Sequence, residues 1–177
     1  IISRLGKYPN ILCWEIMNEY VKNEDFQDVA GTWFHENDPD HRPVISSAGT
    51  TDDAVFPDKP WMDMAVVHTC TGSITQYDLE LWYKAIAQNT MSYGKPAFNN
   101  ETGREIRHKN DDGVNRRKQS WLWSSSGAFF TFHTLDGCEA IDSAGYKAPG
   151  YEFMKPYSDF FSSIPYHTLY ANYTVCT

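Results

Sequence analysis

Short apolar segments alternate with amphipathic segments along this chain, and this alternation limits the fold more than any other feature. Helical spacing is found in residues 24–38, 76–94, 111–126 and 151–164. Strands are predicted in the segments between them, at residues 10–18, 42–49, 63–68, 96–101 and 127–134. Strands that alternate with helices of this length build βα units around a parallel sheet. We therefore predict an α/β fold with about five βα units.

Composition indicates one globular domain and argues against several functional classes. The 177 residues are 41% hydrophobic and carry a net charge of −8, so we expect no nucleic-acid partner. The dense basic cluster at residues 116–118 is interpreted as the solvent face of a helix. No apolar run reaches the roughly 20 residues needed to cross a bilayer, so no membrane partner is expected. The cysteines form no CxxC pair and the histidines no HxxxH pair, so neither a metal nor a cofactor is predicted.

Two glutamates stand at the carboxyl ends of predicted strands, where parallel sheets collect functional groups. Glu19 is the last residue but one of "WEIMNEY" and Glu101 follows "PAFNN", 82 residues later, which leaves about 27 residues for each of three units. A (β/α)8 barrel has about 31 residues per unit. Because side chains alternate along a strand, Glu15 shares the side of Glu19 and lies deeper. We expect Glu15 to be buried and hydrogen-bonded in support of the site.

These motifs resemble those of the clan of retaining glycoside hydrolases built on a (β/α)8 barrel, which includes many cellulases, mannanases and β-galactosidases. The segments that carry the resemblance are "PNILCWEIMNEY" and "GKPAFNNETG". The resemblance implies that Glu19 is the acid/base, that Asn18 binds the sugar 2-hydroxyl, and that Glu101 is the nucleophile. It also implies a carbohydrate substrate and a secreted or periplasmic location.

The resemblance implies that residues 1–177 form a single partial barrel domain holding the fourth to eighth units. The N-terminal units are then missing, and we expect them to be supplied by a preceding segment or by another copy of the chain. An isolated fragment of this kind has two open sheet edges and is expected to associate.

Four further residues near the strand ends are predicted to bind substrate: His68, Tyr20, Asn100 and His133. For each histidine the alternative is a core residue whose ring nitrogens are hydrogen-bonded within the protein. The clan often carries a Tyr two residues after the histidine that matches His68, where this chain has Cys70. The clan also more often has a Trp at the position of His133.

Two other functions remain open at the sequence level. The chain could be an inactive carbohydrate-binding or scaffold remnant of such a barrel. It could also be an unrelated α/β hydrolase, but it contains no G-x-S-x-G motif.

Overall fold

The computed structural model describes residues 1–49, 54–69, 76–102, 113–131 and 150–172. These residues form a mixed α/β structure with parallel strands, as predicted, and helices separate the strands except between the second and the third, where the described residues contain none. In chain order the elements are α1 (Ile2–Leu5), β1 (Trp14–Glu15), α2 (Glu24–Asn37), β2 (Val44–Ile45), β3 (Ala65–Thr69), α3 (Gln76–Met91), β4 (Ala97–Thr102), α4 (Val114–Ser125), β5 (Phe129–Phe130), a 3₁₀ turn (Tyr151–Phe153), α5 (Met154–Ser162) and a second 3₁₀ turn (Tyr166–Thr168).

The strands form two small parallel sheets that adjoin at Asp63. One sheet has the order β1–β2 and the other the order β3–β4–β5. The backbone N–H of Asp63 donates to the carbonyl of Val44 over 3.0 Å. The Asp63 carboxylate in turn accepts the backbone N–H of Val44 at 2.8 Å. The described strands do not close into a barrel.

The two faces of the sheets have separate hydrophobic clusters. Ala65, Val67 and Ala97 pack against Ile86 of α3 and Trp123 of α4, so this face is covered by helices. On the other face Ile45, Val66 and Phe98 form a cluster that spans both sheets. Side chains alternate along a strand, so His68 lies on the same face as Val66. This second face leads to the candidate site.

Helix α2 has the predicted bounds but buries a different side. Spacing predicted a core face made of Phe26, Val29, Ala30, Trp33 and Phe34. Of these residues, Phe34 packs against the core and Ala30 is half-buried, whereas Phe26, Val29 and Trp33 are exposed, and the buried residues are Gln27 and Gly31. Gly31 packs so closely on Trp61 that a Cβ atom there would collide with the indole ring. This close packing, together with polar contacts of Gln27, sets the orientation of the helix.

Two other sequence predictions need correction. The first strand was expected over residues 10–18, but β1 covers only Trp14–Glu15, and beyond it the chain continues as a loop that stays hydrogen-bonded to Ile45 and Ser47. In the basic cluster, Arg116 is buried, Lys118 is half-buried and Arg117 is exposed. None of the helices in the described ranges is long and apolar enough to span a bilayer.

Candidate active site

Glu19 lies in a loop that crosses the carboxyl end of β2. Its backbone has a left-handed conformation with φ of 53°, which is unfavourable for a residue with a side chain. The conformation is held by Ser47, whose hydroxyl accepts the backbone N–H of Glu19 at 3.1 Å. The carbonyl of Ser47 also accepts the N–H of Tyr20 at 3.1 Å. Local strain is therefore balanced by hydrogen bonds to a fully buried serine.

A second buried pair fixes the rest of this loop. The Ser46 hydroxyl donates to Gln27 Oε1 at 2.6 Å and accepts the backbone N–H of Met17 at 3.3 Å. The Gln27 amide nitrogen donates to the carbonyls of Tyr20 and Lys22, at 3.0 and 2.8 Å. Gln27 and Ser46 are both fully buried. Helix α2 therefore anchors the loop that carries Glu19.

Glu101 reaches the same place from β4. A β-bulge in the pairing of β3 with β4 matches Val67 to Asn99 and His68 to Glu101, which leaves Asn100 without a partner residue. The bulge turns Glu101 to the face that also carries His68. The side chain of Glu101 is 18% exposed, so one end of it remains open to solvent.

His68 lies between the two glutamates. Its Nδ1 atom is 3.0 Å from Glu19 Oε1 and 3.5 Å from Glu101 Oε2. The imidazole is 1% exposed, whereas the Glu19 side chain is 32% exposed. One oxygen of each carboxylate and one ring nitrogen of His68 all lie within 4.8 Å of one another. The structure therefore brings together three of the predicted residues, Glu19, His68 and Glu101, at one partly open position.

The other predicted residues surround this group less directly. Asn18 is exposed, and its side-chain oxygen lies 3.3 Å from the Ser47 hydroxyl. Tyr20 has an exposed ring. Asn100 is partly buried, and its Oδ1 atom has no hydrogen-bond partner among the described residues. His133 lies outside the described residues, as does Cys70.

Glu15 differs from its prediction in burial. Its carboxylate accepts a hydrogen bond from the Ser47 hydroxyl, but the residue is exposed. Strand β1 lies at the edge of its sheet, and no described residue covers Glu15 on that side. Partial burial, together with the nearby Glu15 charge, raises the pKa of the Cys13 thiol to about 11. Cys13 therefore remains a neutral thiol.

This group contains the residue types that bind cations, namely two glutamates and a histidine. A histidine that binds a metal nearly always donates its other ring N–H to an acceptor. The Nε2 atom of His68 is buried and has no hydrogen-bond partner among the described residues. The described residues therefore supply no acceptor of the kind that supports a metal-binding histidine.

Sequence reasoning missed the residues that hold the loop of Glu19, which are Ser46 and Ser47 after β2 and Gln27 on α2. A signal was present in the run "SSAG", since small and polar residues at a strand end often mark close backbone approach. The bulge at Asn100 has no such signal. Searches of family models, curated proteins and solved structures yield no match to this chain, so the function has to be argued from the site itself.

Proposed function

We propose that this protein is a retaining β-glycoside hydrolase acting on an oligo- or polysaccharide, with Glu19 as acid/base and Glu101 as nucleophile. The observation that carries the proposal is the approach of one oxygen from each carboxylate to within 4.8 Å, beside a shared histidine. Retaining glycosidases hold their carboxyl groups about 5–5.5 Å apart, whereas inverting enzymes need about 6.5–9.5 Å to admit a water. An oxygen–oxygen approach within 4.8 Å agrees with the shorter of these ranges and so supports the retaining mechanism.

The proposed framework is part of a (β/α)8 barrel. Three features support it: the parallel pairing of the strands, their succession from β1 to β5 in chain order, and the contact of β2 with the segment before β3 at Asp63. In such barrels the catalytic side chains lie at the carboxyl ends of the strands. Glu101 lies near the end of β4, and Glu19 is in the loop after β1.

The first step is glycosyl transfer to the enzyme. The Glu101 carboxylate attacks the anomeric carbon while the bond from that carbon to the leaving oxygen breaks. Glu19 gives its proton to that oxygen, so the leaving sugar departs as a neutral alcohol. In the second step Glu19 takes a proton from water, the resulting hydroxide attacks the anomeric carbon, and Glu101 is released as a carboxylate. Each displacement inverts the anomeric carbon, so the two together restore its original configuration.

His68 suits both protonation states that Glu19 passes through. An ionised carboxylate only accepts hydrogen bonds, so it pairs with an imidazole that carries a proton on Nδ1. When Glu19 is protonated on its other oxygen, Oε1 still accepts the same Nδ1–H over 3.0 Å, and the acid proton is left for the leaving oxygen. The buried ring therefore holds Glu19 in place through the whole cycle.

The first test is hydrolysis of aryl β-glycosides of glucose, mannose and galactose by the protein. We expect measurable release of the phenol, and a loss of about 10³-fold or more in Glu101→Gln. Glu36→Gln is the matched control, because Glu36 is an exposed glutamate on α2. If the unaltered protein binds oligosaccharides without hydrolysing any of these glycosides, it is a carbohydrate-binding remnant and not an enzyme.

The glycosyl azide that each alanine variant forms distinguishes the nucleophile from the acid/base. In Glu101→Ala, azide can occupy the space of the missing carboxylate and attack the anomeric carbon directly, which gives an α-glycosyl azide. In Glu19→Ala, a dinitrophenyl glycoside still forms the covalent intermediate, and azide then displaces Glu101 to give a β-glycosyl azide. NMR identifies the anomer, and products of the opposite configuration would reverse the assignment.

A further inference from the structure

The β-bulge in β4 decides which way Glu101 points. Phe98 contributes to the cluster shared with Ile45 and Val66, and Ala97 packs on the helix-covered face. With regular alternation from Phe98, Glu101 would join Ala97 and Asn99 on the helix-covered face. The extra residue, Asn100, changes the alternation and aligns Glu101 with His68. Whatever holds the bulge therefore holds the carboxylate beside the imidazole.

The side chain of Asn99 spans this bulge from the opposite face. When the amide is oriented so that its nitrogen faces acceptors and its oxygen faces donors, the nitrogen donates to the carbonyl of Val67 at 3.1 Å and to the carbonyl of Glu101 at 3.0 Å. The two acceptors lie on the neighbouring strand and on the far side of the bulge. The amide therefore ties the backbone of Glu101 directly to β3.

The amide oxygen of Asn99 is anchored as well. It accepts the hydroxyl of Thr69 at 2.6 Å and the indole N–H of Trp123 at 3.1 Å. Asn99, Thr69 and Trp123 are all fully buried. Both amide protons and the amide oxygen are therefore used in a dry environment, where hydrogen bonds are strong and lost partners are costly.

We propose that Asn99 is a positioning residue that locks the bulge and thereby holds the Glu101 carboxylate against His68. Its role in catalysis rests on the proposed glycosidase function, whereas its effect on the position of Glu101 does not. Only a primary amide of this length supplies two donors and an acceptor together. Leu has nearly the same volume but none of these groups, and Asp has no donor when ionised.

The test uses the ring ¹⁵N NMR signals of His68 in the full chain without substrate. Glu101→Gln is expected to move these signals, since Glu101 Oε2 lies 3.5 Å from Nδ1. Asn99→Leu is expected to move them in the same direction, although it alters neither His68 nor Glu101. Ile86→Ala is the control, because it disturbs the same hydrophobic cluster without touching the bulge, and it should leave the His68 signals unchanged.

Thr69→Val provides a milder variant in case Asn99→Leu does not fold. It keeps the side-chain shape, removes one of the two anchors of the amide oxygen, and should move the His68 signals part of the way. The proposal is overturned if a folded Asn99→Leu or Thr69→Val protein keeps wild-type His68 signals. It is also overturned if Glu101→Gln itself leaves those signals unchanged.

Kinetics then connect the position of Glu101 to turnover. A displacement of about 1 Å at a reacting group lowers the rate about 100-fold, so kcat of Asn99→Leu should fall by that factor with little change in KM. A protein without any hydrolytic activity would refute the glycosidase function, but the NMR result would still decide the role of Asn99. The two proposals can therefore fail separately.

Discussion

Gly49 lies directly against the side chain of Glu19. A Cβ atom at Gly49 would be 3.3 Å from both Cβ and Cδ of Glu19, which is tighter than an ordinary van der Waals contact. Gly49→Ala is therefore expected to move the Glu19 carboxylate by a few tenths of an ångström. We predict a fall in kcat/KM of about 10-fold, since reacting groups tolerate little displacement, and steady-state hydrolysis of an aryl glycoside measures it.

Gly94→Ala is the matched control for this substitution. Gly94 has φ of 68°, and a Cβ atom added there would meet no atom of the described residues within 4 Å. Alanine at this position is therefore strained but displaces no neighbour. It should lower the free energy of unfolding by about 1 kcal/mol and leave kcat/KM unchanged. Equal activity losses in the two variants would mean that Gly49 acts through stability and not through Glu19.

His68 is the second point at which the site can be tested. His68→Phe fills the buried space but removes the hydrogen-bonding atom that faces both carboxylates, and we predict a loss in kcat of about 100-fold. His68→Asn places an amide near the position of Nδ1 and should lose only about 10-fold. Single-turnover measurements with an activated aryl glycoside give both values. Equal losses in the two variants would contradict a hydrogen-bonding role.

Sequence reasoning could anticipate which glutamates meet but not how they are oriented. Glu19 and Glu101 were predictable because they follow apolar segments whose carboxyl ends share one edge of a parallel sheet. The bulge was not predictable, since nothing in "FNNET" shows which asparagine is the extra residue. The left-handed backbone of Glu19 was not predictable either, because it depends on Ser47, which is remote in the sequence.

The buried face of α2 shows a different limit. Apolar spacing indicated a core face containing Phe26, Val29 and Trp33, yet these side chains are exposed. Periodicity identifies an apolar side of a helix but cannot tell which neighbour covers it. In this helix the residues that face the protein interior are Gln27, which hydrogen-bonds to Ser46, and Gly31, which packs closely on Trp61. Hydrogen bonding and close packing therefore set the buried face, and hydrophobicity does not.

Asp38 is predicted to make folding sensitive to acid. Burial alone would raise the pKa of Asp38, but hydrogen bonds from Trp14, from the backbone N–H groups of Asp40 and Arg42, and from the Arg42 guanidinium lower it to about 2. A folded pKa below the ordinary value of about 3.9 stabilises the protein above that value. This stabilisation is lost as the pH falls from about 4 through 2.

Asp38→Asn should therefore lower the free energy of unfolding by about 3 kcal/mol at pH 7, because it breaks a buried ion pair. The deficit should shrink toward pH 2.5, which urea titrations at several pH values measure. Asp40→Asn is the control, since its carboxylate also pairs with Arg42 but is 59% exposed, and its effect should stay within about 0.5 kcal/mol. A deficit for Asp38→Asn that does not vary with pH would contradict the assigned pKa.

The exposed side of α2 is predicted to be an association surface. Lys59 pairs with Glu24 and Asp28 on one flank of the helix, so Phe26 and Trp33 lie on the opposite flank, with Val29 close by. Strand β1 is the edge of its sheet. Among the described residues no strand pairs beyond β1 and nothing covers this apolar flank, so we expect a second copy of the chain to pack there.

We therefore expect the 177-residue chain to self-associate as its concentration rises. The double variant with Trp33→Ser and Val29→Lys should weaken that association about 10- to 100-fold. Sedimentation should then shift toward the 20.3 kDa monomer. Leu81→Ser is the control, because Leu81 is an equally exposed apolar residue on α3 and should have no effect. A wild-type chain that stays monomeric at about 100 μM would contradict self-association through this surface.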